Sequence, residues 1–265
     1  MLKDVTLGQY FPGDTIVHRL DPRTKIILLI VYIVALFQAK WWISYALVAA
    51  VSFICMTLGH ITLKNMFKGL KPMLFIIALT ALLNIFYTTG TPIIEGWIIT
   101  WEGIERAVQM VLRIVLLITG TFLLTYTTSP IALTDGLEIL MGPLKKVKFP
   151  VHEITMMMSM ALRFIPTLIE ETDKIMSAQK ARGADFETGS LIQRAKALLP
   201  ILVPLFVSAF RRADELAVAM ESRCYHGGEG RTRMKQLVFE KRDFAALAAG
   251  CVFLAVMFVM RHFGI

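Results

Sequence analysis

Residues 176–189 read MSAQKARGADFETG and close a long helix-like stretch on an Arg-Gly step, Arg182-Gly183, after which the chain turns polar. Residues 218–228, VAMESRCYHGG, close a second such stretch. Aligned on their arginines, Asp173, Ala178 and Arg182 fall on Asp214, Ala219 and Arg223. A helix C-terminus leaves its last carbonyls unpaired; Gly183 is the residue type that supplies a left-handed cap, and a nearby arginine offsets the negative end of the helix dipole. That reading suffices for one arginine. Two copies, each following a long amphipathic pattern, invite two equivalent receptors. A planar guanidinium makes forked hydrogen bonds to carboxylates. Small neighbours, Ala181 and Gly183 beside Arg182 and Ser222 and Cys224 beside Arg223, let each tip enter a narrow acidic groove of a partner.

The chain around these tips is apolar. Its 265 residues are 56% hydrophobic and only 18% charged, with a mean hydropathy of +0.63, whereas soluble domains carry about a quarter charged residues. This is the composition of a membrane protein. The net charge of +8 lies mostly between Lys145 and Arg242 and has no interleaved aromatic strip, so a cytoplasmic basic region explains it and nucleic acid is not expected as a partner. Cys55, Cys224 and Cys251 are far apart and lack CxxC or His-rich company, so they read as reduced and structural, with no metal site. The start MLKDVTLGQYFPGD has no apolar h-region; no cleaved signal peptide is expected, and insertion relies on internal spans.

Apolar runs predict five crossings: Lys25–Phe37, Trp41–Leu58, Pro72–Tyr87, about 103–127, and Phe244–Phe263. The first is short for a crossing of about 20 residues. Lys64, Lys68 and Lys71 share one side of a helix, as in a cytoplasmic surface helix. The connection over 88–103 has glutamates and tryptophans but no Lys or Arg, which places it outside. An N-terminus in the cytoplasm then puts the C-terminus outside, with Lys40 as the exception to the positive-inside pattern. Arg113 lies two turns deeper than Arg106 and should face protein, paired with a polar group such as Glu102, Glu105 or Asn84.

The expected fold is an all-α integral membrane protein with about five transmembrane helices and a large cytoplasmic coupling domain. Residues 1–129 form an N-terminal membrane part with four spans, 130–242 the coupling domain, and 243–265 the last span. A Ser129-Pro130 start opens a shorter amphipathic helix that ends at Gly142-Pro143. Two long amphipathic helices follow, over about 151–183 and 191–224, each apolar for two-thirds of its length and charged at its end. Pro166 in the first, and Pro200 and Pro204 in the second, predict static bends.

No catalytic constellation is expected. The five histidines are scattered, and GxSxG and Walker-type phosphate loops do not occur. GGEGRTR, residues 227–233, follows a helix instead of a strand and lacks the Lys-Ser/Thr step. Energy for any work must therefore come from a partner.

QKARGADFE and ESRCYHGGEGRTR, with QYFPGDTIVHRLDPRTK near the start and TTSPIALTDGLE in the middle, closely resemble the transmembrane T component of energy-coupling factor (ECF) transporters, importers of vitamins and metals in the prokaryotic cell membrane. The likeness covers essentially the whole chain. It implies that Ala181, Arg182 and Gly183, and Ser222, Arg223 and Cys224, dock on two ABC-type ATPase subunits, which bind the ATP and Mg while this chain holds no cofactor. The second motif departs from Ala-Arg-Gly to Ser-Arg-Cys, which keeps the arginine and leaves its cap geometry open. The resemblance also implies a separate substrate-binding S component, exchangeable in the group form. The run Met156, Met157, Met158 and Met160 supplies flexible side chains that can repack against S components of differing sequence; filler between helices and lipid is the alternative. Two rival readings remain at this point. One is a self-sufficient carrier whose path would use Arg113 and Asn84, and the other is a membrane enzyme using cytoplasmic Glu, Asp and Arg residues.

Overall fold

The structure, a computed structural model, describes residues 10–91, 100–186, 188, 190–227 and 236–263. The chain start over 1–9, most of the expected outer connection and most of the Gly-rich return loop lie outside these residues. The described chain is helical: α1 Pro22–Gln38, α2 Trp42–Leu58, α3 Leu63–Leu70, α4 Leu74–Tyr87, α5 Trp101–Thr127, α6 Pro130–Leu140, α7 Val151–Ala181, α8 Leu191–Glu221 and α9 Lys241–Phe263. It is an all-α membrane protein. Two compact units are present, Gly8–Gly136 with Leu237–Ile265, and Leu137–Gln236.

In the first unit, Ala35, Leu36, Ala39, Tyr45, Val48, Leu116 and Met257 form a core contributed by α1, α2, α5 and α9. Two glycines permit the close approach of these helices. A Cβ on Gly250 would stand 2.5 Å from the Leu28 side chain, and one on Gly120 would stand 2.5 Å from the Tyr32 ring. A smaller cluster of Met56, Met66 and Tyr126 ties α2 and α3 to α5.

Helices occur at all five expected crossings. Three of them, within Leu63–Tyr87, Trp101–Thr127 and Lys241–Phe263, are long and apolar enough to span a bilayer. α1 and α2 have 17 residues each, about 26 Å of helix against a hydrocarbon core of about 30 Å. The lysine-bearing α3 continues through a 3₁₀ turn, Lys71–Met73, into α4, so the expected surface helix is part of one 25-residue helical run. Length and composition also admit Ile192–Glu221 as a crossing, although the sequence predicts no plain span there.

The chain enters α1 through Asp21, whose side chain accepts the Arg23 backbone N–H at 2.8 Å while Pro22 occupies the first helical turn. This is a satisfied N-cap. α1 stops at Ala39, whose orphan carbonyl accepts Arg113 Nη2 at 3.1 Å. The same nitrogen donates to Tyr45 Oη at 2.7 Å, and the guanidinium lies 5.8 Å from the centre of the Phe37 ring. Arg113 thus faces protein as expected, but its partners are a helix-end carbonyl and a tyrosine. Asn84 instead donates to the Thr80 carbonyl, Glu102 accepts from Thr91, and Glu105 accepts from Gln109. A buried helix end needed a donor, and no sequence pattern announces that need.

Candidate functional site

The second unit carries both arginine tips. α7 and α8 each run for 31 residues, continuous through Pro166 and through Pro200 and Pro204, or about 46 Å. α8 begins with a capping box in which the Ser190 and Gln193 side chains satisfy each other's backbone N–H groups, an arrangement that fixes where the helix starts.

At the end of α7, the Arg182 N–H bonds to the carbonyls of Ala178 and Gln179 at 3.2 and 3.1 Å. Gly183 follows at φ +90°. Its N–H bonds to Lys180 O at 3.0 Å, and the Ala184 N–H returns to Gln179 O at 3.0 Å. That bond pair defines a Schellman cap. At the end of α8 the same pair recurs, from Cys224 N–H to Glu221 O at 2.9 Å and from Tyr225 N–H to Met220 O at 3.1 Å. Cys224 takes the left-handed conformation at φ +55°. The departure from glycine to cysteine therefore leaves the cap unchanged. Each arginine is the last residue before the reversal, and Ala181, Arg182, Gly183, Ser222, Arg223 and Cys224 are all exposed. The ion pairs among the described residues involve other side chains.

α7 and α8 are tied by polar groups on a shared face. Glu171 accepts from the Ser208 hydroxyl and from Arg212 Nη2 at 3.0 Å. The Ser208 hydrogen bond, with Arg212 adding to it, holds the Glu171 carboxyl below its ordinary value. Glu171 lies 11 residues before Arg182, and Arg212 lies 11 before Arg223. The tie therefore joins equivalent levels of the two helices. Away from it α8 presents an apolar surface that includes exposed Leu199, Leu202, Val203, Phe206 and Phe210. Of the four methionines, Met157 and Met158 are exposed, while Met156 and Met160, one helical turn apart, are half-buried.

The first unit contains a cluster that the sequence reading did not single out. Asp243 accepts the Asp21 N–H at 2.8 Å and the Glu240 N–H at 2.9 Å. The Arg23 guanidinium donates to both Asp21 carboxylate oxygens, at 3.0 and 2.8 Å, and to Leu237 O at 2.9 Å. It also lies 4.0 Å over the Phe239 ring. Lys25 Nζ donates to His18 O, Thr127 O and Thr128 Oγ1 at 3.1, 2.8 and 3.2 Å. These buried charges are all partnered, and they clamp the starts of α1 and α9 to the end of α5. The Asp-Pro helix start at residues 21–22 was the available signal. Arg113 and Asn84 line a small cavity of about 200 Å³ with Arg106, Gln109 and Met110. Among the described residues, no group of three His, Cys, Asp or Glu side chains gathers to hold a metal.

A family model described as CbiQ, cobalt transport protein, matches residues 13–234. Relatives named energy-coupling factor transporter transmembrane protein EcfT are similar along nearly the whole chain. That of Ruminiclostridium cellulolyticum is 51% identical over 265 residues, covering 99% of each protein. That of Thermosediminibacter oceani is 54% identical over 264 residues, again 99% of each. The Bacillus subtilis relative is 48% identical over 264 residues, 98% of this chain and 100% of its own length.

Proposed function

The chain belongs to the family of energy-coupling factor transporter transmembrane proteins, and from that premise we propose that it is the non-catalytic coupling subunit of an ATP-driven micronutrient importer. It links two ABC-type ATPases, which bind and hydrolyse ATP with Mg, to an exchangeable substrate-binding S component. The observation that carries this reading is the identity of the two caps. Two 31-residue helices end in the same backbone reversal, and each presents an exposed arginine at it. Docked in an acidic groove, a guanidinium gains charge-assisted, forked hydrogen bonds that water cannot match in geometry.

In this mechanism, closure and opening of the ATPase pair move Arg182 and Arg223. α7 and α8 carry the displacement, and an S component resting on the face with Met156, Met157, Met158 and Met160 receives it. Residues 130–242 then act as the cytoplasmic coupling domain between membrane parts at 1–129 and 243–265, with the N-terminus in the cytoplasm and the C-terminus outside. The residues of the rival carrier reading line one small cavity but hydrogen-bond to the protein itself, Arg113 to Ala39 and Tyr45 and Asn84 to Thr80.

The test is co-purification of the tagged chain from its host's membranes, comparing wild type with Arg182→Glu, Arg223→Glu and the double variant. Two ATPases accompanying wild type and lost from the folded double variant support docking. Retention of both ATPases with normal ATP-driven uptake would sink it.

A further inference from the structure

A cavity larger than the one beside Arg113 lies wholly within the first unit and has no place in the coupling scheme. It is a groove of about 620 Å³ between α1, α2, α5 and α9, within the size range of small-ligand sites. Its walls include Leu28, Val51, Leu123, Ala246 and Phe253, and Lys25 and Arg242 also line it. Both cations sit at the starts of their helices. From Arg242 to Phe253 the groove follows α9 for about 16 Å, the scale of a lipid acyl chain.

The polar atoms along the groove select its occupant. The Tyr32 hydroxyl reaches Leu116 O and Ser52 Oγ, each at 2.9 Å, and Ser52 Oγ donates to Val48 O. Thr119 and Thr127 donate to Val115 O and Leu123 O within α5. Lys25 has its ammonium protons on three protein oxygens. Along its length the groove thus offers a guest apolar surface and almost no unsatisfied polar group, which disfavours a polar micronutrient and suits a hydrocarbon chain. Arg242 differs. Its described ion pair, with Glu240, is long at 3.7 Å between side chains that are both at least half exposed, and such pairs contribute little. The nearby acids are otherwise engaged, Asp21 with Arg23 and Asp243 with two backbone N–H groups. Positive charge at one end and satisfied apolar walls beyond it are the complement of an anionic amphiphile.

We propose that this groove binds an anionic phospholipid, with one acyl chain lying between α1, α2, α5 and α9 and its phosphate on Arg242. Lys25 adds an electrostatic contribution without direct contact.

The experiment uses the full chain in detergent with whatever subunits accompany it, equilibrated with equal amounts of dioleoyl phosphatidylglycerol and dioleoyl phosphatidylcholine. Retained lipid is counted by native mass spectrometry. Wild type should retain phosphatidylglycerol about fivefold over phosphatidylcholine, the preference expected from one arginine at an anionic headgroup. Arg242→Gln, an exposed substitution that leaves the core intact, should cut the preference to below about twofold, the remainder coming from Lys25, while some lipid remains, and Ala246→Trp should displace both lipids. Equal retention of the two lipids by wild type, or an undiminished preference in Arg242→Gln, would overturn the proposal. So would a photoreactive side chain at Ala246 that captures polypeptide in place of lipid. None of these outcomes depends on whether Arg182 and Arg223 dock on ATPases.

Discussion

In the unit built on α1, α5 and α9, Arg23 is buried against Asp21, the Leu237 carbonyl and the Phe239 ring, whereas in the unit built on α7 and α8 both Arg182 and Arg223 stand exposed just past their helices. The same residue type follows two rules. A buried guanidinium must be paired, because desolvation without a partner costs several kcal/mol. An exposed one at a helix end needs no partner to fold, so its placement twice over is free to serve a contact outside the chain. Removing each kind of arginine separates the rules most widely. Arg23→Ala removes the ion partner of the Asp21 carboxylate, leaving it only the residue-23 backbone N–H, and should cost about 3 kcal/mol, read as a large drop in melting temperature in detergent. Arg182→Ala and Arg223→Ala should each stay within about 0.5 kcal/mol of wild type. A tip variant that destabilised the chain as much as Arg23→Ala would break the comparison.

Asp243 sharpens it from the anionic side. Its two carboxylate oxygens serve two backbone N–H groups, those of Asp21 and Glu240. Asp243→Ala should leave two donors without acceptors near a buried site, at a cost of about 2 kcal/mol. Asp243→Asn keeps one acceptor oxygen and should cost less. Equal losses in the two variants would mean that the carboxylate acts through charge and not through the two hydrogen bonds.

The two regions were also unequally legible. Apolar runs place α4, α5 and α9, and proline and glycine signals bound α7 and α8 to within a few residues, because these are local properties of the chain. Both arginine tips could be read for the same reason. The clamp could not, since Asp21 and Asp243 are 222 residues apart and nothing near either announces the other. Arg113 was legible as a cation facing protein but not in its partners, because a carbonyl left over at the end of α1 belongs to the backbone and has no letter in the sequence. Cys224 in a left-handed cap also eluded reading. Non-glycine residues seldom adopt that conformation, so only the hydrogen-bond pattern reveals that Ser-Arg-Cys and Ala-Arg-Gly close their helices alike.

Equivalence of the caps makes a smaller, opposed pair of predictions. Gly183 at φ +90° is where a Cβ brings strain, and although a Cβ there meets nothing within 4 Å, Gly183→Ala should cost about 1 kcal/mol through the backbone alone. Cys224→Gly relieves the corresponding strain and should stabilise the end of α8 by up to about 1 kcal/mol. Amide exchange in the last turn of each helix measures both. Faster exchange at the end of α8 in Cys224→Gly would mean that the cysteine side chain supports its cap in a way the glycine of α7 does not.

The least costly change concerns the tie between the helices. Glu171 and Arg212 are partly exposed, so Glu171→Gln should cost only about 0.5 kcal/mol, too little to unfold the unit. Its signature is a pH dependence. The Ser208 hydrogen bond and then Arg212 hold the Glu171 carboxyl below its ordinary value of 4.5. A carboxyl held down in the folded state contributes stability that is complete above about pH 4.5 and is lost as pH falls through its lower folded value. Amide protection of α8 around Ser208 should therefore decline on acidification below that point in wild type, and the part of the decline due to Glu171 should be missing in Glu171→Gln. Identical acid profiles would remove the tie from the account. Because Glu171 and Arg212 stand equally far before Arg182 and Arg223, under the proposed coupling mechanism loosening the tie is expected to let one tip move without the other. In the proposed mechanism such a tie is expected to matter more for keeping two exposed arginines in step than for keeping the chain folded, whereas the Asp21–Arg23 pair is expected to act on folding alone.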